Sequence, residues 1–230
     1  MAEHSTLHLG IDPDLARSVP GEVVMAGIEC DARVGASSPE LRTLLEHTTG
    51  EIELRYAASR PQDQSAIAAT RAAYKALGKD PSRYRPAAEA LARRVAQGKG
   101  LGSINSIVDI NNIVSLETGL SIGSYDIAAI GDGIVLRAAV AGESYEGIGR
   151  GPLNLEGLPV LADERGPFGS PTSDSERSMV GEQARRILFM IFDFGSGTLD
   201  GSIVERATSL LREHAGAGAF VFHRIDRNSS

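Results

Sequence analysis

Residues 103–130 read SINSIVDINNIVSLETGLSIGSYDIAAI, and their pattern sets the frame for the rest of the chain. Ile104, Ile107, Val108, Ile110, Ile113, Val114 and Leu116 recur at helical spacing and predict a mostly buried helix that Gly119 ends. Asn105, Asp109 and Asn112 fall at i, i+4 and i+7, so they share one stripe of that helix. Asn and Asp are poor helix-interior residues because their side chains compete for backbone groups. A polar stripe on a buried helix therefore needs partners. Either the three brace a helix end and its adjoining loop, or they face a ligand. Bracing is the expectation for Asn105 and Asp109; for Asn111 and Asn112 both readings stand.

Working outward, residues 86–97 form a helix opened by Pro86 and closed by Gly98, and 61–77 form another that ends at Gly78. Ser37-Ser38-Pro39-Glu40 starts a helix that runs to about 47 or beyond. Strands are predicted at 7–11 and 23–34 before the helices, and at 134–140, 158–162, 186–193 and 220–225 after them. Asp163-Glu164-Arg165-Gly166 reads as a turn between strands, and 199–214 as an amphipathic helix. Helices concentrate in the first half and strands in the second. This order predicts an α+β fold with a mixed sheet rather than regular βαβ winding.

Composition narrows the class. The chain has 230 residues, 42% hydrophobic and 23% charged, enough for a packed core. No apolar run nears the roughly 20 residues of a membrane span, so no membrane partner is expected. The start MAEHSTLHLG lacks the basic opening and apolar run of a signal peptide, and a reducing cytoplasm is the expected compartment. The single cysteine, Cys30, forms no internal disulfide and no cysteine cluster for a metal; it reads as a core thiol. His4, His8, His47, His214 and His223 are scattered, so no metal site is expected.

Net charge is −7, against general nucleic-acid binding and against DNA as a partner. Residues 55–99 nevertheless carry +7, leaving −14 elsewhere. That segment is either a solvated helical surface, the blander reading, or a phosphate-facing side. The glycine patterns Gly98-x-Gly100-x-Gly102 and Gly147-x-Gly149-x-Gly151 do not join a strand to a helix, and no P-loop is present, so no cofactor is expected. Gly195-Ser196-Gly197 lies before a helix and is not a nucleophile elbow.

Several motifs together carry a resemblance. Asn105-x-x-Val108-Asp109-x-x-Asn112, then Leu116-Glu117-x-Gly119-Leu120, then Tyr125-Asp126-Ile127, resemble the editing module of the phenylalanyl-tRNA synthetase beta subunit. That module comprises its fused third and fourth structural domains. The likeness continues through Ile134-Val135-Leu136-Arg137-Ala138, Gly142-Glu143, Asp163 and Gly166-Pro167-Phe168-Gly169, and includes Tyr84-Arg85-Pro86 before the helix at 86–97. It covers roughly 83–180, and more weakly the rest, and is closest to free-standing forms of the module. One domain over 1–230 is expected, with the editing-like region at about 83–225 and a strand-helix extension at 1–82.

The resemblance implies a compact β-barrel or sandwich core flanked by helices. It also implies a function: binding of the tRNA acceptor end, or a related aminoacyl small molecule, with hydrolysis of a misacyl ester in trans. A binding module without catalysis is the alternative. By family position, Arg85 falls near a pocket-facing arginine, and Asn111 and Asn112 match a polar pair that lines the pocket. Ser170, Thr172, Ser173 and Asp174 would form the opposite wall. Gly123 stands where the family carries a histidine that helps hold a tyrosine ester. Pro171 stands near a glutamate that reads the tyrosine hydroxyl, so hydroxyl-based discrimination is not expected here. Ser173-x-x-Glu176 also fits a capping box.

Overall fold

The computed structural model describes residues 7–226. The readings made on the first six residues and on the last four of the polar tail lie outside that range. In chain order the elements are β1 (His8–Ile11), α1 (Pro13–Ser18), β2 (Val23–Asp31), α2 (Pro39–Tyr56), α3 (Ser65–Ala76), α4 (Ala87–Ala96) and α5 (Ser106–Thr118). They continue with β3 (Ser121–Asp126), β4 (Gly133–Ala138), β5 (Ser144–Gly147), β6 (Gly151–Asn154), β7 (Pro159–Asp163), β8 (Gly166–Gly169), β9 (Arg186–Phe194), α6 (Gly201–Ala215) and β10 (Gly218–Ile225).

The strands form two four-stranded sheets and a separate hairpin. One sheet has the order β1-β4-β7-β8, with β1 parallel to β4 and the other pairs antiparallel. The other has the order β10-β2-β9-β3 and is antiparallel throughout. β5 and β6 form a two-stranded sheet of their own.

The run RILFMIFDF explains the layering. Alternate side chains of a strand point to opposite faces. Leu188, Met190, Phe192 and Phe194 pack with Leu136, Leu161 and Phe168 of the other sheet. Ile187, Phe189 and Ile191 pack with Leu41 and Leu45 of α2, Ile110 and Ile113 of α5, and Leu210 and Leu211 of α6. A strand buried on both faces is apolar along most of its length, so β9 shows no alternation; its one buried acid, Asp193, accepts from the Gly195, Ser196 and Leu199 amides. The protein is thus a two-sheet sandwich with helices covering the outer face of one sheet. The mixed α+β class and the helix-rich first half follow the sequence pattern. The sandwich draws strands from both ends of the chain, with β2 between β10 and β9.

Local chemistry sets the helix ends. Ser38 accepts from the Leu41 amide at the start of α2, with Pro39 in the first turn. Asn105 accepts from the Val108 amide at the start of α5, and Gly119 closes that helix at φ 76°, where a glycine carries no Cβ penalty. The segment predicted as one helix over 61–77 is instead a 3-10 turn, Pro61–Asp63, followed by α3. Gln64 between them is extended, at ψ 133°.

Five elements differ from the sequence expectation by addition. α1 is only six residues long, capped by Asp12. β3 follows α5 after only Gly119 and Leu120, and its Ser-x-Gly-Ser pattern gives no alternation signal. β5 and β6 are four residues each. Gly166–Gly169, on the far side of the turn read at 163–166, is strand β8, paired with β7 through a register shift.

Candidate functional site

The start of α4, the middle of α5, β3, the 170–175 loop and the β5–β6 hairpin converge on a cavity of about 300 Å³. α4 contributes Ala87, Ala90, Leu91 and Arg94; α5 contributes Asn111, Asn112 and Ser115; Ile122, Thr172 and Arg150 complete the lining. The walls are locked together by backbone bonds. The Ala87 amide donates to the Pro171 carbonyl at 2.7 Å, tying the loop to α4. The Ile148 amide donates to the Asp174 carbonyl at 3.1 Å, and Gly147 bridges to Ser175, so the hairpin leans on the same loop. This carries Arg150, at the hairpin turn, to the cavity rim. The Gly147-x-Gly149-x-Gly151 pattern that fails as a dinucleotide motif is this turn, with Gly149 and Gly151 at φ 65° and 70°.

The polar stripe of α5 divides its work. Asp109 is fully buried and accepts from the Ser37 hydroxyl at 2.6 Å, the Ser103 hydroxyl and the Ile104 amide at 3.0 Å. Asn105 is the helix cap. Both brace the loop that enters α5. Asn111 lines the cavity, but its amide is engaged. Its Nδ2 donates to the Ile122 carbonyl at 3.4 Å, and its Oδ1 accepts from the Ser124 hydroxyl at 2.9 Å. The Asn112 carboxamide has no intramolecular hydrogen bond among the described residues and is half-buried in the cavity wall. Asn112 is therefore the free amide of the site.

Thr172 is the loop's contribution. Its hydroxyl is 2.8 Å from that of Tyr74, which is fully buried and whose ionisation burial pushes upward, so the pair remains neutral. Ser170, Ser173 and Asp174 stand behind Thr172 rather than in the lining. The Ser170 hydroxyl donates to the Ser173 carbonyl at 2.7 Å and accepts from the Thr172 and Ser173 amides and the Tyr145 hydroxyl. Tyr145 also donates to the Ser173 carbonyl. Asp174 turns its carboxylate inward, accepting from the Tyr125 hydroxyl at 2.8 Å and the Ser170 amide at 3.2 Å. Burial raises its pKa from 3.8 to about 7, against the lowering effect of those two donors. Burial and the Asp174 carboxylate both hold Tyr125 well above the usual phenol range. The capping box expected at Ser173 is absent. The helical turn that follows is a 3-10 turn, Glu176–Ser178, capped by the Ser175 hydroxyl on the Arg177 amide.

Gly123 faces away from the cavity. In β3 it shares its sheet face with Tyr125, toward the other sheet, whereas Ile122 and Ser124 face α5. A Cβ at Gly123 would stand 2.1 Å from the Tyr125 hydroxyl, and one at Gly169 2.4 Å from the same ring. The tyrosine thus fills the space a side chain at 123 would need. Arg85 also stands outside the cavity lining, in a neighbouring cleft on the other side of Ala90 and Arg94. Arg94 and Arg150 are the functional candidates that sequence reasoning passed over. Arg94 was legible only as one of many cations in 55–99, and Arg150 as an arginine inside a glycine-rich turn. Among the described residues, no three His, Cys, Asp or Glu side chains converge in a way that could hold a metal ion.

A family model described as the B3/4 domain matches residues 69–201, more than half of the chain and the whole of this cavity. The chain belongs to the B3/4 domain family. Two curated relatives fit that placement. The B3/4 chain is 39% identical over 77 residues to a phenylalanine–tRNA ligase beta subunit of Chromobacterium violaceum, covering 33% of this chain and 10% of the relative. It is 33% identical over 92 residues to the phenylalanine–tRNA ligase beta subunit of Yersinia pestis, covering 39% and 11%. The matched stretch spans about a tenth of either relative's length. In fold, the B3/4 chain resembles an N-terminal fragment of the phenylalanyl-tRNA synthetase beta subunit from Pyrococcus horikoshii. The TM-score is 0.50 at 14% identity, over 98% of this chain and 52% of that one.

Proposed function

We propose that this B3/4 protein binds the aminoacylated acceptor end of a tRNA and hydrolyses the ester in trans. The observation that carries the reading is the cavity between α4 and α5. It combines one unengaged carboxamide, Asn112, with the neutral Thr172 hydroxyl and two exposed guanidinium groups, Arg94 and Arg150. Its volume is at the low end of ligand sites, about 300–1,000 Å³, which suits an aminoacyl group rather than a whole nucleotide. Leu91 and Ile122 give an apolar surface for a side chain, and the cations stand at the rim, where a phosphate or ribose would follow.

Neither a nucleophile–base pair nor any other titratable base lines the cavity. Hydrolysis would then rest on a positioned water. Water adds to the ester carbonyl carbon, the bond from that carbon to the ribose oxygen breaks, and the ribose oxygen takes up one of the two protons the water brought. The products are a free carboxylate, a released proton and a terminal ribose hydroxyl. The Asn112 amide would donate to the developing oxyanion, a role worth about 3–4 kcal/mol of barrier when the donor is preorganised. The neighbouring ribose hydroxyl of the substrate would help orient the water. Localisation with the translation machinery, in the cytoplasm, follows from that substrate.

Deacylation of a panel of mischarged tRNAs by the purified protein tests the reading, with Asn112→Ala as the control. Release from one or two species, lost in the control, supports it. The absence of a carboxylate or imidazole from the cavity favours the second reading, binding without turnover. A panel with no release but with saturable binding of aminoacyl-tRNA would select that one instead.

A further inference from the structure

Beside the cavity lies a second, smaller cleft of about 220 Å³, lined by Arg85, Ala90, Arg93, Arg94, Gln97 and Lys99. Ala90 and Arg94 belong to both spaces, so the cleft continues from the cavity along the exposed side of α4. The charge balance of this cleft is unusual. Glu89 is the carboxylate at its base, 1% exposed, and Arg71 holds it at 2.7 Å from the α3 side. Arg85 and Arg93 approach the same carboxylate only to 3.6 and 3.9 Å. One negative charge is thus shared by three guanidinium groups, and Arg71 already satisfies it.

The remaining cations are under-used. Arg85 donates one bond, to the Ser82 carbonyl, while its Nε is buried without a hydrogen-bond partner. Arg94 spends its Nε on the Gly100 carbonyl, which fixes the side chain and leaves its terminal nitrogens to the cleft. Lys99 is exposed and has no ion pair among the described residues. Arg93 has Gln62 at 3.5 Å as its hydrogen-bond partner. No aromatic side chain lines the cleft, so it offers charge and forked donors but no stacking platform for bases.

We propose that this cleft holds the backbone phosphates of the single-stranded RNA that leads into the cavity, without reading its bases. The proposal rests on the preceding reading of the cavity as the site of the aminoacyl end, and adds the path the strand takes. Arg85 and Arg93, held loosely beside a carboxylate already paired elsewhere, exchange a weak contact for a bidentate phosphate contact. Arg94, at the junction, lies where the last phosphate before the ester would fall. The excess charge of residues 55–99 thereby acquires a location in an otherwise acidic protein.

The test is the salt dependence of binding of a fluorescein-labelled unacylated single-stranded RNA ending in CCA, with Arg93→Gln, Lys99→Gln and their double variant. Both side chains are at the surface, so folding is preserved. The double variant is expected to bind at least tenfold more weakly. The slope of log affinity against log salt should become shallower by about 0.7 for each phosphate contact removed. Lys75→Gln, on the exposed face of α3, should leave the slope as it is. Equal effects of Lys75→Gln and the cleft variants would overturn the proposal, since the attraction would then be diffuse. So would an oligoglutamate of equal charge competing as well as RNA. The two readings fail separately. Deacylation that persists with an unaltered salt slope in the double variant sinks the cleft and leaves the cavity. Cleft-dependent RNA binding without deacylation supports the cleft and removes turnover.

Discussion

Asp174→Asn isolates the cost of the carboxylate enclosed behind the cavity wall. The carboxyl titrates at 3.8 in its ordinary state and at about 7 in the folded protein, with burial as the main cause. Between those two values the folded protein keeps a proton that the unfolded chain has released. Stability therefore falls as pH rises across that window, by about 1.4 kcal/mol per pH unit, and levels off above pH 7. The full difference is about 4 kcal/mol. Asparagine retains the oxygen that accepts from the Tyr125 hydroxyl and the Ser170 amide but does not ionise. Asp163, held at about 2 by the Arg177 guanidinium and the Gly131 and Arg165 amides against the opposing effect of burial, titrates identically in both proteins and cancels. Urea denaturation of both proteins at pH 4.5, 6 and 7.5 gives the comparison. The variant should gain stability over the wild type steadily up to pH 7, by about 3 kcal/mol between pH 4.5 and 7.5. A difference that stays flat with pH, or that favours the wild type at pH 7.5, would refute the assignment of a costly buried carboxylate.

Asp109→Ala leaves the Ser37 and Ser103 hydroxyls and the Ile104 amide without their acceptor, and should cost about 3 kcal/mol or more in urea denaturation. Gly123→Ala should destabilise by about 1–3 kcal/mol through overpacking against Tyr125, and by much less in a Tyr125→Leu background. A double-mutant cycle without coupling would count against that contact. Asn112→Ala should change stability by less than about 0.5 kcal/mol while abolishing deacylation, because its amide serves no internal bond among the described residues. Comparable losses of folding and activity would make it a structural residue.

How much of this was legible depended on the range of the physics involved. Long periodic segments such as α5 and continuous apolar runs such as β9 declare themselves, because their burial is written in one local pattern. Asp109 and Asn105 were readable as braces for the same reason: polar side chains at a buried helix start have local donors to satisfy, here Ser103, Ile104 and Val108, although Ser37 joins them from far along the chain. β5 and β6 were not, since four-residue strands around a glycine turn carry too few side chains to set a period. The site follows the same division. Asn112 and Thr172 were reachable from family position and line the cavity. Arg150 arrives only through the hairpin's bonds from Ile148 to Asp174 and from Gly147 to Ser175, 26 and 28 residues apart in the sequence, a separation that no local pattern encodes. The Tyr125–Asp174 contact, and the glycines that make room for it, required strands from two sheets to meet.

The position of β9 bears on how the protein could be cut. The segment that matches the family, residues 69–201, contains β9 and β3 but neither β2 nor β10. Excised on those limits, β9 would keep one neighbour and expose an edge of nine residues where β2 had paired from Val23 to Asp31. It would also lose α2 and most of α6 from one apolar face, leaving Phe189 and Ile191 partly uncovered. Such an edge is long and greasy, the kind that recruits other chains. A boundary drawn by kinship is therefore a poor place for the scissors: what has been inherited together and what must fold together are different lengths of this polypeptide.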